Sequence, residues 1–168
     1  MLSLVERATL LRSIPPFADL PSEQLRLLAE VAEEVEVPAG NILIAAGPLG
    51  DHLYVVVAGQ IALEEQRGAK GSVARISTLG AGFALGEDAV FDGSVHVLSA
   101  SAVTDCRLLA VSREVLLALL EEQPALARNL IAWLSARLRE TTGKLAERTR
   151  PRPRSVMDLL DKLGDPPR

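Results

Sequence analysis

The sequence predicts an α+β protein that is mainly β: a jelly-roll-like β-roll of about eight strands, flanked by N-terminal helices and a long C-terminal helix. Three observations carry this. Leu and Ala gather at the two ends of the chain while Val, Gly and Thr gather in the middle, the split expected of helices around a sheet. The short β-branched runs of the middle are cut repeatedly by glycine, as the turns of an all-β unit are. Beyond Pro124 leucines recur every fourth residue, the spacing of one helix face. The chain has 168 residues, enough for one domain with modest extensions. Aromatics are only 3%, so Leu, Val, Ile and Ala must fill the core.

Leu2, Val5, Ala8 and Arg12 fall at helical spacing until Pro15 and Pro16 stop the run. A second helix begins at Pro21, aligns Leu25, Leu28, Ala29 and Ala32 on one face, and is expected to end near Glu34. From Val35 the period becomes that of strands: Val35 and Val37, Ile42 and Ile44, Leu53 to Val57, Ile61 and Leu63. Gly40, Gly47, Gly50 and Gly59 separate these runs, and each is expected to reverse the chain with φ > 0. Val73 to Leu79 continues the pattern, and Gly80 to Gly93 reads as a loop holding a short helical turn. Val95 to Val103 and Cys106 to Val111 read as two more strands joined at Thr104 and Asp105. Ser112 is placed to cap a helix over residues 113–122, and Pro124 to start a long one reaching about Glu147. The domain thus spans 10–147. Arg148, Arg150, Arg152 and Arg154, set among Pro151 and Pro153, read as a solvated linker over 148–155. The remaining 156–168 form a short amphipathic tail with Val156, Leu159, Leu160 and Leu163 on one face.

Several functions are argued against. With 22 acidic and 18 basic residues the formal charge is −4, which disfavours nucleic acid as main partner. Residues 148–168 are too few for a helix-turn-helix domain, so DNA binding by this chain is not expected. No apolar run is long enough for membrane insertion. The one cysteine, Cys106, cannot make an internal disulfide and suits a reducing, cytoplasmic setting as a small core residue. His52, His96 and Cys106 lack metal-ligand spacing, and there is no Gly-x-Ser-x-Gly elbow, so neither a metal nor an enzyme is read.

An ordered set of residues remains. Phe17 and Leu20 precede Val37-Pro38-Ala39-Gly40, Gly47, Gly50-Asp51, Leu53-Tyr54 and Ala58-Gly59. Then come Leu79, Gly82, Leu85-Gly86-Glu87-Asp88-Ala89-Val90-Phe91, Ser99, Asp105 and Leu108-Leu109-Ala110. Over about residues 10–140 this order resembles the cyclic nucleotide-binding domain family, in the form of a catabolite-activator-like sensor domain without its helix-turn-helix domain. The resemblance implies a ligand cassette at Gly86, Glu87, Asp88 and Ala89, completed by His96, Val97 and Ser99. In that family a short helix after Gly-Glu offers N–H groups to the cyclic phosphate, the Glu accepts from the ribose hydroxyl, and a following Arg clamps the phosphate beside a Ser or Thr.

Gly86, Glu87, Ala89 and Ser99 match that pattern, but the arginine's place falls at His96. No Lys or Arg occurs from Gly80 to Cys106, whereas Glu87, Asp88, Asp92 and Asp105 are acidic. An imidazole lacks the fixed charge and paired donors of a guanidinium. The expectation is a regulatory or interaction module with a degenerate or altered pocket, no cofactor being required. The plain reading of His96 is a solvent-facing residue at a loop end. A genuine cyclic AMP or cyclic GMP sensor would need an unusual phosphate contact: His96 charged by Glu87 or Asp92, or Arg75 or Arg107 reaching in. Two partner surfaces are also legible. Leu126, Leu130, Trp133, Leu134 and Leu138 suit a homodimer through the C-terminal helix. The tail residues Val156, Leu159, Leu160 and Leu163 suit docking to a partner protein, the adaptor alternative.

Overall fold

Capping chemistry and proline placement set the first helical turns. A computed structural model describes residues 1–67 and 72–149 of the chain, which divides into two units, Met1–Ile131 and Ala132–Arg168. In the first unit α1 (Leu4–Arg12) starts at a capping box: the Ser3 hydroxyl accepts the Glu6 N–H, and the Glu6 carboxylate accepts the Ser3 N–H at 2.8 Å. A 3₁₀ turn at Pro15–Phe17 buries Phe17, and α2 (Ser22–Val31) buries Leu25, Leu28 and Ala29. α2 ends at Val31, before the expected Glu34. Glu33 and Glu34 instead pair with Ala110 and Leu109 in a strand ladder, and the Glu34 carboxylate accepts from Arg7 at 3.0 Å and from the Leu2 N–H at 2.6 Å.

Among the described residues eight antiparallel strands follow: β1 (Glu33–Val37), β2 (Ile42–Ile44), β3 (His52–Ala58), β4 (Ile61–Arg67), β5 (Ser72–Leu79), β6 (Ala84–Leu85), β7 (Ser99–Ala102) and β8 (Cys106–Ser112). They form two four-stranded sheets, ordered β1-β8-β3-β6 and β2-β7-β4-β5. Val56, Leu85 and Leu108 of the first sheet pack with Ile61, Ala100 and Ala102 of the second, and Cys106 is buried in the same core. This is the mainly β roll that the glycine-punctuated pattern predicts. One strand is shorter than expected: β7 begins at Ser99, not Val95. Upstream of it the backbone bonds to another loop. Gly47 N–H donates to the His96 carbonyl, His96 N–H to the Pro48 carbonyl, and Gly50 N–H to the Ser94 carbonyl.

Gly40, Gly47 and Gly59 have positive φ, as the turn pattern predicts. Gly50 does not, and its need for glycine has another origin. A Cβ there would lie 2.4 Å from the Ala89 Cβ and 2.7 Å from the Ala89 carbonyl carbon, so a bare backbone lets two segments touch. Ser112 caps α4 (Arg113–Glu122) by accepting the Val115 N–H. Pro124 opens α5 (Pro124–Thr149). The described part of the second unit is the α5 stretch from Ala132. In it Arg137 lies 5.3 Å above the Trp133 ring, Lys144 pairs with Glu140, and Leu138 and Leu145 are exposed. Among the described residues no helix is long and apolar enough to cross a membrane. Most of the expected linker, and the tail with Val156, Leu159, Leu160 and Leu163, lie outside the described residues.

The Gly50 contact gives a first prediction. Gly50→Ala overpacks the approach to Ala89 and lowers unfolding free energy by about 1–3 kcal/mol in urea titrations. A loss under about 0.5 kcal/mol, within the range of an ordinary surface substitution, would contradict the close approach.

Candidate functional site

The site is built around one sharp turn. β6 pairs with β3 through Tyr54 and Val55, and the chain then turns at Gly86, with φ of 92°. A Cβ at Gly86 would sit 2.6 Å from the His52 carbonyl oxygen, so both conformation and space demand glycine. The turn launches α3 (Glu87–Val90), whose Ala89 and Val90 are fully buried. Beyond it the Ser94 N–H donates to Asp92 at 2.9 Å, and the Ser94 hydroxyl donates to the Asp88 carbonyl at 3.2 Å. Hydrogen bonds from Ser94 hold the Asp92 carboxyl below its usual range. On the strand beside the turn, burial and then the Asp51 carboxylate push the Tyr54 phenol above its ordinary range.

Across the cassette, Asp88 is the centre of the polar contacts. One carboxylate oxygen lies 3.0 Å from His96 Nδ1, and the other accepts the Val97 N–H at 3.2 Å. The His96 side chain is only 7% exposed, while that of Asp88 is 40% exposed. His96 is therefore not a solvent-facing loop-end residue. The backbone bonds of Ser94 and His96 to the 47–50 loop pull this segment inward and turn the imidazole onto α3. The carboxylate that its Nδ1 meets at 3.0 Å is that of Asp88, where the sequence pointed to Glu87 or Asp92.

The other expected residues are placed as follows. Glu87 is half-buried at the start of α3, and Val97 presents an exposed side chain. The Ser99 hydroxyl donates to the Glu64 carbonyl at 3.2 Å. Arg75 lies 3.7 Å from the Glu64 carboxylate, and Arg107 sits on β8 opposite Glu36 and Ala58. An arginine that meets α3 is Arg113, at the start of α4. Its guanidinium donates to the Val90 carbonyl, and its backbone N–H donates to the Asp51 carbonyl at 2.7 Å. Sequence reasoning missed it, since nothing in its neighbourhood signals a contact 23 residues away. Two of the leucines expected at a partner surface also change place. Leu126 and Leu130 are buried and line a tight apolar seam with Phe17, Phe91, Leu116 and Leu120.

The glycine-launched one-turn helix, its returning loop and the two-sheet roll form a recognisable constellation, and the model of the cyclic nucleotide-binding domain matches residues 34–123. The chain belongs to the cyclic nucleotide-binding domain family. A cyclic AMP receptor protein of Thermus thermophilus is 35% identical over 80% of this chain and 62% of its own length. The crystal structure of the Thermus thermophilus catabolite activator protein superposes with a TM-score of 0.69 at 34% identity, covering 80% of this chain and 63% of that one. The N-terminal domain of a Streptomyces coelicolor transcriptional regulator gives a TM-score of 0.66 at 32% identity, covering 79% of this chain and 94% of that one. The chain spans about three fifths of the length of the first curated relatives it matches. The matched residues include α3 and the segment that returns from it to β7.

If Arg113 holds the end of that helix, Arg113→Met releases it. Amide exchange at Val90 to Gly93 should quicken by about tenfold to a hundredfold, as for loss of a charge-assisted hydrogen bond of about 1.5–3 kcal/mol. Unchanged exchange there would show that the guanidinium does not hold it.

Proposed function

We propose that this chain is a non-catalytic regulatory module of cyclic nucleotide-binding type whose altered pocket does not take cyclic AMP or cyclic GMP by the family's arginine contact. The observation that carries this is the state of His96. The residue at the arginine's place is buried and its ring faces Asp88, so it offers an incoming phosphate no free paired donors. Ser99, the matching hydroxyl, donates to a backbone carbonyl. Glu87, Asp88 and Asp92 add negative charge, and the nearby guanidinium of Arg113 is bound at the opposite end of α3. The Thermus thermophilus relative is named for cyclic AMP, but its ligand transfers to this chain only if the phosphate contact is replaced.

Signalling through the C-terminal helices is the second part of the proposal. Arg113 joins the end of α3 to α4, and Phe91 meets Leu116, Leu120, Leu126 and Leu130 in the apolar seam. A shift of α3 would therefore be felt by α4 through the Arg113 bond, and by the apolar seam that residues of α4 and α5 line with Phe91. The exposed residues suited to a second copy are Leu138 and Leu145, with Ile131 seven positions before Leu138. This favours self-association along α5, with Trp133 and Leu134 beside the exposed residues. Capture of a partner protein by the tail is the adaptor alternative.

Calorimetry with cyclic AMP and cyclic GMP tests the ligand reading: binding should be weaker than about 1 mM. Micromolar binding that Glu87→Ala abolishes would overturn it and favour a true sensor. For the helix, sedimentation equilibrium should show self-association of the native chain and a monomer for Leu138→Glu with Leu145→Glu. A native monomer, or an unchanged double variant, would remove α5 as the interface.

A further inference from the structure

The Asp88 side chain bridges two donors on a segment whose backbone is already fixed. His96 uses its own N–H and carbonyl on Pro48 and Gly47, and Ser94 accepts from Gly50. Gly50 in turn packs so closely on Ala89 that no side chain fits between the loop and α3. The imidazole is buried between them. Within this frame the movable part is the Asp88 carboxylate, two-fifths exposed and open to solvent on one side. It supplies what the two donors need: a negative charge with two acceptor oxygens, one for His96 Nδ1 and one for the Val97 N–H. A phosphate-type anion has the same charge sign and the same paired oxygens.

We propose that Asp88 is a built-in gate on this pocket, an internal carboxylate that holds the His96 imidazole and the Val97 N–H against any phosphate-type anion. The inference rests on the reading of residues 86–99 as the ligand cassette and adds how that cassette is closed. An anion entering with Asp88 in place meets a like charge and finds both donors engaged. With Asp88 turned to solvent, the imidazole and the N–H become available together. The occluded state is thus a property of one side chain, and the backbone of the cassette need not rearrange.

The test compares the native chain with Asp88→Asn and Asp88→Ala, titrated with inorganic phosphate and with cyclic AMP. The readouts are calorimetry and the amide shifts of His96 and Val97. Asp88→Asn keeps an acceptor of the same shape while removing the charge, so a folded variant is available if Asp88→Ala loosens the loop. Both variants should bind phosphate at least about tenfold more tightly than the native chain, with the Val97 amide shifted on saturation. Folded variants that bind phosphate no better than the native chain overturn the gate. The cyclic AMP arm separates this from the underlying reading. Variants that gain phosphate but not cyclic AMP support the gate and remove the cyclic nucleotide cassette, whereas a gain for both supports the two together. Tight cyclic AMP binding by the native chain, unaltered in the variants, overturns both the gate and the altered pocket.

Discussion

The polar arrangement of the cassette depends on a carboxylate that bridges α3 to the segment returning toward β7. Asp88 takes the His96 imidazole on one oxygen and the Val97 N–H on the other. A buried imidazole would be left with an unsatisfied ring nitrogen without that partner, and a buried donor without an acceptor is costly. The bridge in turn requires that the returning segment stand in reach of α3. Two constraints place it there: the backbone bonds between residues 47–50 and 94–96, and the missing Cβ at Gly50. Altering either moves both ends of the bridge.

The other end of α3 belongs to the helical part of the molecule. Arg113 donates to the Val90 carbonyl, one of the acceptors a helix end leaves without an internal partner. Phe91, the next residue, enters the apolar seam with Leu116 and Leu126. The one-turn helix is thus held by charge at both ends and by apolar contact just beyond, between the roll and α4. A four-residue element has almost no stability of its own. Its conformation is decided by these neighbours.

Much of this was legible in the sequence, and the reasons differ from feature to feature. The turns at Gly40, Gly47 and Gly59 were readable because local strand periodicity brackets them, and the Ser112 cap because its acceptor lies three residues away. The family order followed from the same glycines. Gly50 was marked as a turn glycine, but its reason is a tertiary contact with Ala89 that no local pattern encodes. The arginine's absence was visible at His96, yet its burial and its pairing with Asp88 depend on a loop about fifty residues earlier in the chain. Leu126, Leu130 and Leu138 share one spacing, but the first two are buried and the third is exposed. Periodicity defines a face without saying what covers it. Arg113 was invisible for a similar reason: its guanidinium acts on a carbonyl that sequence cannot place beside it.

The tautomer of His96 tests this account most directly. A carboxylate can only accept, so the ring nitrogen facing Asp88 must carry a proton. Nitrogen-detected imidazole spectra of the native chain should show Nδ1 protonated. The signal should change in Asp88→Ala and stay unmoved when cyclic AMP is added to the native chain. An unprotonated Nδ1, or a His96 signal that shifts with cyclic AMP, would contradict the closed, self-paired cassette.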